Sequence, residues 1–195
     1  MPYITTDNLT SIMAEMTDYC NAACPMCNRF DWNLNLVKGI TNSHHTTLEF
    51  IKKRIGSDVI SRLRGWICQG TYGDASMNPE TIDIFKYLRE INPNMQISMH
   101  TNGGARNKDF WKALAELKVI ITFGIDGLED TNHLYRRNVK WDNLMENVKT
   151  FIGNGGRAKW DLLVFKHNQH QISKAKLLSE ELGFETFTLL NLDLI

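Results

Sequence analysis

Short apolar runs rich in β-branched residues alternate with amphipathic segments along the chain. The runs have the length of buried strands, whereas the segments between them repeat apolar residues at the helical period. The predicted strands cover residues 12–16, 66–69, 95–99, 119–125, 160–165 and 186–192, and the predicted helices cover residues 45–55, 79–91, 108–117, 141–152 and 172–182. This strict alternation predicts right-handed βαβ units around a parallel sheet, either an open doubly wound sheet or a curved, incomplete barrel.

The sixth predicted strand is also the last element of the sequence. An apolar final strand leaves a sheet edge that has to be covered. We therefore expect residues 1–195 to form a single core domain that either lacks a C-terminal extension or is covered by a partner.

Composition narrows the range of partners. Lys plus Arg and Asp plus Glu each number 22, so the formal net charge is zero and the chain has no nucleic-acid footprint. The first residues lack the basic and apolar regions of a signal peptide, and no apolar run reaches the length of a membrane span. The cysteines are clustered rather than spread as a disulfide framework, which favours a reducing compartment. The sequence predicts a soluble cytoplasmic protein without a membrane partner.

Three cysteines, Cys20, Cys24 and Cys27, form a C-x3-C-x2-C motif directly after the first predicted strand. A structural zinc site needs four ligands, usually supplied as two separated pairs. A cubane iron–sulfur cluster with three protein thiolates leaves one iron open for a ligand. Two alternatives remain at this point: a zinc site with Cys68 as a distant fourth ligand, and buried thiols without a metal.

Further polar residues follow the later predicted strands. A glycine-containing turn with Gly73 and Asp74 follows the second strand, and Asn102 follows the third. Asp126 ends the fourth strand, and Arg137 lies in the segment after it. Because parallel α/β folds bind ligands at the carboxyl ends of their strands, these residues and the cysteines are candidates for one site. Taken singly, each is equally typical of an ordinary turn or of a solvated helix face.

Taken in order, these motifs resemble the radical S-adenosylmethionine (SAM) family. The likeness runs from about residue 12 to the end of the sequence and includes the cysteine motif, the turn at residues 70–75, Thr101-Asn102-Gly103, and Asp126-Gly127 followed by His133 and Arg137. It implies an α/β fold in which parallel strands form an incomplete (β/α)6 TIM-like barrel. It also implies two cofactors, a [4Fe–4S] cluster held by Cys20, Cys24 and Cys27, and SAM bound to the open iron.

The resemblance also implies which residues contact SAM. They are Met26, Gly73, Asp74, Asn102, Asp126 and Arg137. Arg137 would hold the SAM carboxylate through its planar guanidinium, with Arg136 as a close competitor. The sequence departs from the family pattern at Tyr72, Asp74 and Ala75 in the turn, where the family has glycine, glutamate and proline. Met26 stands where an aromatic residue is common, and its flexible apolar side chain can also pack against adenine.

The implied reaction is reductive cleavage of SAM to a 5′-deoxyadenosyl radical that abstracts hydrogen from a substrate, with a flavodoxin or ferredoxin as reductant. The segment after the fourth strand resembles the branch that modifies peptides and proteins, whose longer members carry a SPASM or twitch extension. That branch usually has further cysteines, and this sequence has none after Cys68. The alternatives are a minimal enzyme acting on a small molecule, as 7-carboxy-7-deazaguanine synthases do, a non-catalytic iron–sulfur or zinc protein, and a scaffold that binds SAM without cleaving it. The sequence identifies no catalytic residue.

Overall fold

The computed structural model describes residues 7–191, the last of these by its backbone only. In this part of the chain six strands form one sheet in the order β1 to β6, and every neighbouring pair is parallel. The strands are β1 (Ser11–Met13), β2 (Gly65–Cys68), β3 (Gln96–Thr101), β4 (Ile120–Gly124), β5 (Arg157–Val164) and β6 (Thr186–Asn191). The predicted parallel α/β sheet is confirmed. Residue 192, the last of the sixth predicted strand, lies outside the described residues.

Helices connect successive strands. They are α1 (Leu48–Arg54), α2 (Ser57–Arg62), α3 (Thr81–Ile91), α4 (Lys108–Glu116), α5 (Asn132–Tyr135), α6 (Trp141–Gly153) and α7 (Ile172–Leu182). Five of them correspond to the predicted helices. The short helices α2 and α5 were not predicted, because neither is long enough to show a helical period in the sequence. Two helices therefore connect β1 to β2, and two connect β4 to β5.

The first predicted helix starts later than residue 45. Thr47 is its N-cap, since its hydroxyl accepts a hydrogen bond from the Phe50 backbone N–H at 3.1 Å. His45 instead forms an isolated antiparallel bridge with Thr17. The segment between the cysteines and α1 is thereby held against the chain that leaves β1.

The two faces of the sheet differ in polarity. On β5, Trp160 and Leu162 are fully buried on the face covered by the helices. The alternate residue Asp161 is half-buried on the opposite face, as is His100 on β3. Burial of apolar surface beneath the helices stabilises the fold, and the other face presents polar side chains. None of the helices in the described part is long and apolar enough to span a bilayer.

Candidate functional site

A cavity of about 200 Å³ lies at the carboxyl ends of the strands. Residues in or directly after each of the six strands line it, from the cysteine loop after β1 to Leu190 on β6. The two edge strands of an open sheet reach one cavity only if the sheet curves, as in an incomplete barrel. The lining includes Cys20, Cys24, Cys27, Arg29, Gln69, Gly73, Asp74, His100, Asn102, Thr122, Gly124, Arg136 and Asp161.

The three cysteines of the motif share this cavity. Cys24 is buried and the other two are partly buried. Backbone hydrogen bonds fix their loop: the Cys27 N–H donates to the Cys24 carbonyl at 3.1 Å, and the Ala23 N–H donates to the Arg137 carbonyl at 3.1 Å. The structure thus brings together the thiols that the sequence singled out.

Electrostatics favour the protonated form of two of these thiols in the metal-free protein. Burial, followed by the nearby Asp74 carboxylate, raises the pKa of Cys20 to about 12, while Arg29 acts in the opposite direction. Burial also raises the pKa of Cys24, against the effect of Arg136. Because metals bind thiolates, metal binding at this site would release these protons.

Cys68 is separate from the motif cysteines. It lies on β2, is 1 % exposed and packs within the hydrophobic core. Among residues 7–191, no three Cys, His, Asp or Glu side chains gather around one point as a single metal ion requires. Cys68 does not line the cavity that the three motif cysteines share, so it is not placed as their fourth zinc ligand. Three thiols on one cavity wall fit a polynuclear cluster, in which each thiolate binds a different iron.

Asp74 connects the turn after β2 to the end of β3. Its carboxylate accepts hydrogen bonds from the Ser76 N–H (2.9 Å) and hydroxyl (2.7 Å), the Thr101 hydroxyl (2.8 Å), and the Asn102 N–H (2.9 Å) and amide nitrogen (2.8 Å). Buried polar groups require such partners. Both carboxylate oxygens are thus engaged within the chain, so Asp74 fixes the loops that face the cavity.

Asn102 links this network to the cysteine loop. Its Nδ2 lies 2.9 Å from Asn21 Oδ1 and 3.5 Å from Cys20 Sγ, and its Oδ1 accepts from the Gly104 N–H at 2.9 Å. The amide therefore positions the loop that carries the first cysteine.

Position 73 requires glycine because the backbone of residues 17–19 passes close to it. A Cβ added there would lie 2.3 Å from the Thr17 carbonyl oxygen and 2.8 Å from the Tyr19 nitrogen. The neighbouring Asp74 N–H donates to the Tyr19 carbonyl at 2.9 Å. Glycine at this position therefore lets the turn after β2 pack against the chain that leads into the cysteine motif.

A buried ion pair lies beside the cysteines. Asp126 is fully buried; its Oδ2 accepts from Arg136 Nε at 2.6 Å and its Oδ1 from the Leu163 N–H at 2.7 Å. Burial raises the pKa of Asp126, whereas Arg136 opposes that rise. Arg136 Nη1 lies 3.9 Å from Cys24 Sγ. A Cβ at Gly124 would lie 2.3 Å from Arg136 Nη2, so glycine there makes room for the guanidinium.

Three of the predicted SAM contacts, Met26, Asp126 and Arg137, do not line the cavity in the structure. Arg137 is exposed, and only its backbone carbonyl contacts the cysteine loop. The neighbouring Arg136 does line the cavity, and Asp126 holds its guanidinium through Nε. Met26 is 56 % exposed and is not part of the cavity lining. Of the two adjacent arginines, the structure thus brings Arg136, the competitor, to the cavity.

The cavity residues that the sequence reasoning missed include three ionisable ones. His100 on β3 and Asp161 on β5 project from the polar face of the sheet, and burial lowers the pKa of His100. Arg29 follows the cysteine motif and is 2 % exposed. The signal for the first two was a polar residue at alternate positions of otherwise apolar strands. No pattern in the sequence indicated that Arg29 is buried.

A larger cavity of about 700 Å³ lies beside the segment between the cysteines and α1. Its acidic groups are engaged within the chain: the Glu15 carboxylate accepts from the Thr71 and Tyr72 N–H groups at 3.1 Å, and Asp18 accepts from the Thr41 N–H at 2.8 Å. No cysteine lines it. The smaller cavity therefore carries the candidate chemistry.

Comparisons with known proteins agree with this geometry. The family model described as Radical SAM superfamily matches residues 14–173. No curated protein sequence matches the chain.

Solved structures resemble the whole described sheet. The Streptococcus suis SuiB structure with bound S-adenosylmethionine is 16 % identical with a TM-score of 0.71, covering 96 % of this chain and 41 % of SuiB. SuiB with its precursor peptide SuiA is 14 % identical with a TM-score of 0.75, covering 94 % of this chain and 39 % of SuiB. Native anSMEcpe with bound AdoMet is 16 % identical with a TM-score of 0.72, covering 94 % of this chain and 51 % of that protein. The chain thus spans about half or less of the length of these proteins, and the likeness confirms the predicted partial-barrel fold.

Proposed function

The chain belongs to the radical SAM superfamily, and from this premise we propose that it cleaves SAM reductively at a [4Fe–4S] cluster. One observation carries the proposal: the three cysteines of the C-x3-C-x2-C motif line one cavity at the carboxyl ends of parallel strands. When bound, the cluster and SAM supply the electron transfer and the 5′-deoxyadenosyl radical that abstracts hydrogen from a substrate carbon.

Cys20, Cys24 and Cys27 are the residues that would hold the cluster. Three thiolates leave one iron without a protein ligand, which is the position that SAM requires. The chain contributes by fixing the loop. The hydrogen bonds of Asp74 and Asn102 join the cysteine segment to β2 and β3, so the thiols are positioned before a metal binds.

Arg136 is the residue we assign to the SAM carboxylate. Asp126 occupies its Nε, which leaves the two terminal nitrogens toward the cavity. A planar guanidinium fork suits a carboxylate better than a single ammonium does. Gly73 lines the same cavity, and we retain it as a backbone contact to SAM.

The substrate would enter from the polar face of the sheet, where His100, Asp161 and Leu190 line the cavity. A peptide or protein substrate is our first proposal, because the similar SuiB structure holds a precursor peptide and anSMEcpe has been solved with bound peptides. We further propose that residues 1–195 act as one core domain and that a cytoplasmic flavodoxin or ferredoxin supplies the electron.

The test is to reconstitute the protein anaerobically with iron and sulfide, reduce it with dithionite, add SAM and detect 5′-deoxyadenosine by chromatography. We expect a cluster with four irons per chain and 5′-deoxyadenosine formation that requires both the reductant and the cluster. Intact cluster and SAM binding without any 5′-deoxyadenosine, also in the presence of a biological reductant, would overturn the proposed reaction. Added peptides or small molecules that accelerate SAM cleavage would then identify the substrate class.

Replacing Gly124 by alanine should weaken SAM binding more than it weakens the fold. The new Cβ would overlap Arg136 Nη2, so the terminal nitrogens must shift while Nε keeps its hydrogen bond to Asp126. We expect the dissociation constant for SAM to rise about tenfold, while the free energy of unfolding falls by about 1 kcal/mol. Equilibrium dialysis of the reconstituted protein and urea unfolding measure the two quantities.

Gly153→Ala is the matched control. Gly153 ends α6, and a Cβ there meets nothing within 4 Å. This variant should bind SAM like the wild type and be stabilised by about 0.5 kcal/mol, since alanine restricts the unfolded chain. Equal SAM affinity in both variants would show that the position of Arg136 does not matter for binding.

A further inference from the structure

Arg29 is an unusual buried cation. It follows the cysteine motif, is 2 % exposed and ranks among the largest fully buried side chains of the described chain. It also lines the cavity that the three motif cysteines share. Arginine is almost never fully buried unless its charge is paired. An anion that balances the charge of Arg29 is therefore expected.

No carboxylate within residues 7–190 forms an ion pair with Arg29. Its Nη2 donates to the Asp18 carbonyl at 3.1 Å and to Asn42 Oδ1, and its Nε is buried without a hydrogen-bond partner. The nearest aromatic contact is Phe30, whose ring centroid lies 5.5 Å from the guanidinium carbon. The buried guanidinium therefore donates hydrogen bonds only to neutral acceptors of its own chain.

Arg136 and Asp74, two other charged groups of the cavity, have partners in the chain, and Asp161, which also lines it, forms no ion pair with Arg29. Asp126 balances Arg136, and the Asp74 carboxylate is engaged by Ser76, Thr101 and Asn102. Arg29 shares the cavity lining with Cys20, Cys24 and Cys27. A buried cation that faces thiol ligands and has no counterion is expected to be balanced by an anion that binds between those ligands.

We propose that Arg29 is the fixed counter-cation of the iron–sulfur cluster and that it raises the reduction potential of that cluster. The proposal rests on the function proposed above. A cubane cluster held by three thiolates already carries a net negative charge when oxidised, and the electron that it accepts from the external reductant adds one more. A nearby positive charge stabilises the reduced form more than the oxidised form. In this role Arg29 contacts neither the substrate nor SAM. It acts on the cluster only through its positive charge.

The experiment compares four proteins, the wild type, Arg29→Met, Arg29→Lys and Asn42→Ala, after anaerobic reconstitution. Arg29→Met removes the charge at similar length, and Arg29→Lys keeps it. Asn42→Ala removes the side-chain hydrogen-bond partner of Arg29 and keeps the charge. The readouts are iron content, the midpoint potential from a redox titration followed by electron paramagnetic resonance, and thermal unfolding of the metal-free proteins.

We expect Arg29→Met to reduce the ratio of reduced to oxidised cluster at a fixed potential about tenfold. For a one-electron couple this is a midpoint about 59 mV more negative. Arg29→Lys and Asn42→Ala should stay close to the wild type. Metal-free Arg29→Met should unfold at the same or a higher temperature than metal-free Asn42→Ala, because it no longer buries an unbalanced charge.

Several results would overturn the inference. One is an Arg29→Met cluster with the wild-type potential. Another is an unchanged potential with weakened SAM binding, which would assign the charge to the SAM carboxylate. If Arg29→Met does not fold, Arg29→Gln supplies the same neutral comparison. A wild-type protein that takes up no cluster would instead overturn the proposed function, so the two failures are distinguishable.

Discussion

Replacing Cys20, Cys24 or Cys27 singly by alanine should abolish both cluster binding and 5′-deoxyadenosine formation. Each thiol lines the cavity, and a cluster with two protein ligands has lost a bond that no neighbouring cysteine can restore. Mutation of a residue that only supports a metal ligand typically lowers metal affinity or activity roughly 10–100-fold. Loss of a ligand itself should therefore lower SAM cleavage by more than about 100-fold. Iron and sulfide content and the yield of 5′-deoxyadenosine after reconstitution measure the effect.

Cys68→Ala is the control for this series. The Cys68 thiol is packed in the core behind β2, so its removal should lower the free energy of unfolding by about 1 kcal/mol. Burial is the main cause of its raised pKa, and, unlike the motif cysteines, it does not line the cavity. This variant should retain its cluster and its SAM cleavage. A cluster lost in Cys68→Ala, or kept in one of the motif variants, would contradict the assignment of ligands.

The sheet was predictable because its signal is local. Apolar strands flanked by turn residues appear in the sequence itself, and strict alternation with helices leaves parallel pairing as the expected topology. The helix α5 (Asn132–Tyr135) has no such signal. Its place depends on contacts from other elements, such as the Asn132 side chain, which accepts from the Asp126 N–H at 2.9 Å. Contacts of this kind are set by the folded chain and cannot be read from a pattern.

The candidate site was predictable only in part, for a related reason. Residues that directly follow a strand, such as Asp74 and Asn102, must lie at its carboxyl end, and the structure places both at the cavity. Arg136 and Arg137 are adjacent in the sequence, and only the ion pair with Asp126 decides which one faces the cysteines. Arg29 was missed because its burial results from the fold of the following loop rather than from its own polarity.

Breaking the Asp126–Arg136 pair should destabilise the protein strongly and also impair SAM binding. Asp126 is fully buried, and removing one partner of such a pair leaves an uncompensated charge. We expect Asp126→Asn and Arg136→Met each to lower the free energy of unfolding by about 3–5 kcal/mol. The double variant should recover part of this loss, because neither charge then remains buried. Urea unfolding of the four proteins forms the double-mutant cycle.

SAM binding separates the structural role of the pair from its role toward the ligand. Arg136→Met should weaken SAM binding about 100-fold, since it removes charge-assisted hydrogen bonds to a carboxylate. The double variant should regain stability without regaining affinity, because the guanidinium is still missing. Arg137→Met is the matched control: its side chain is exposed, so both stability and affinity should stay near the wild type. Loss of affinity in Arg137→Met with normal affinity in Arg136→Met would return the carboxylate contact to Arg137. It would also mean that the buried pair serves the fold alone.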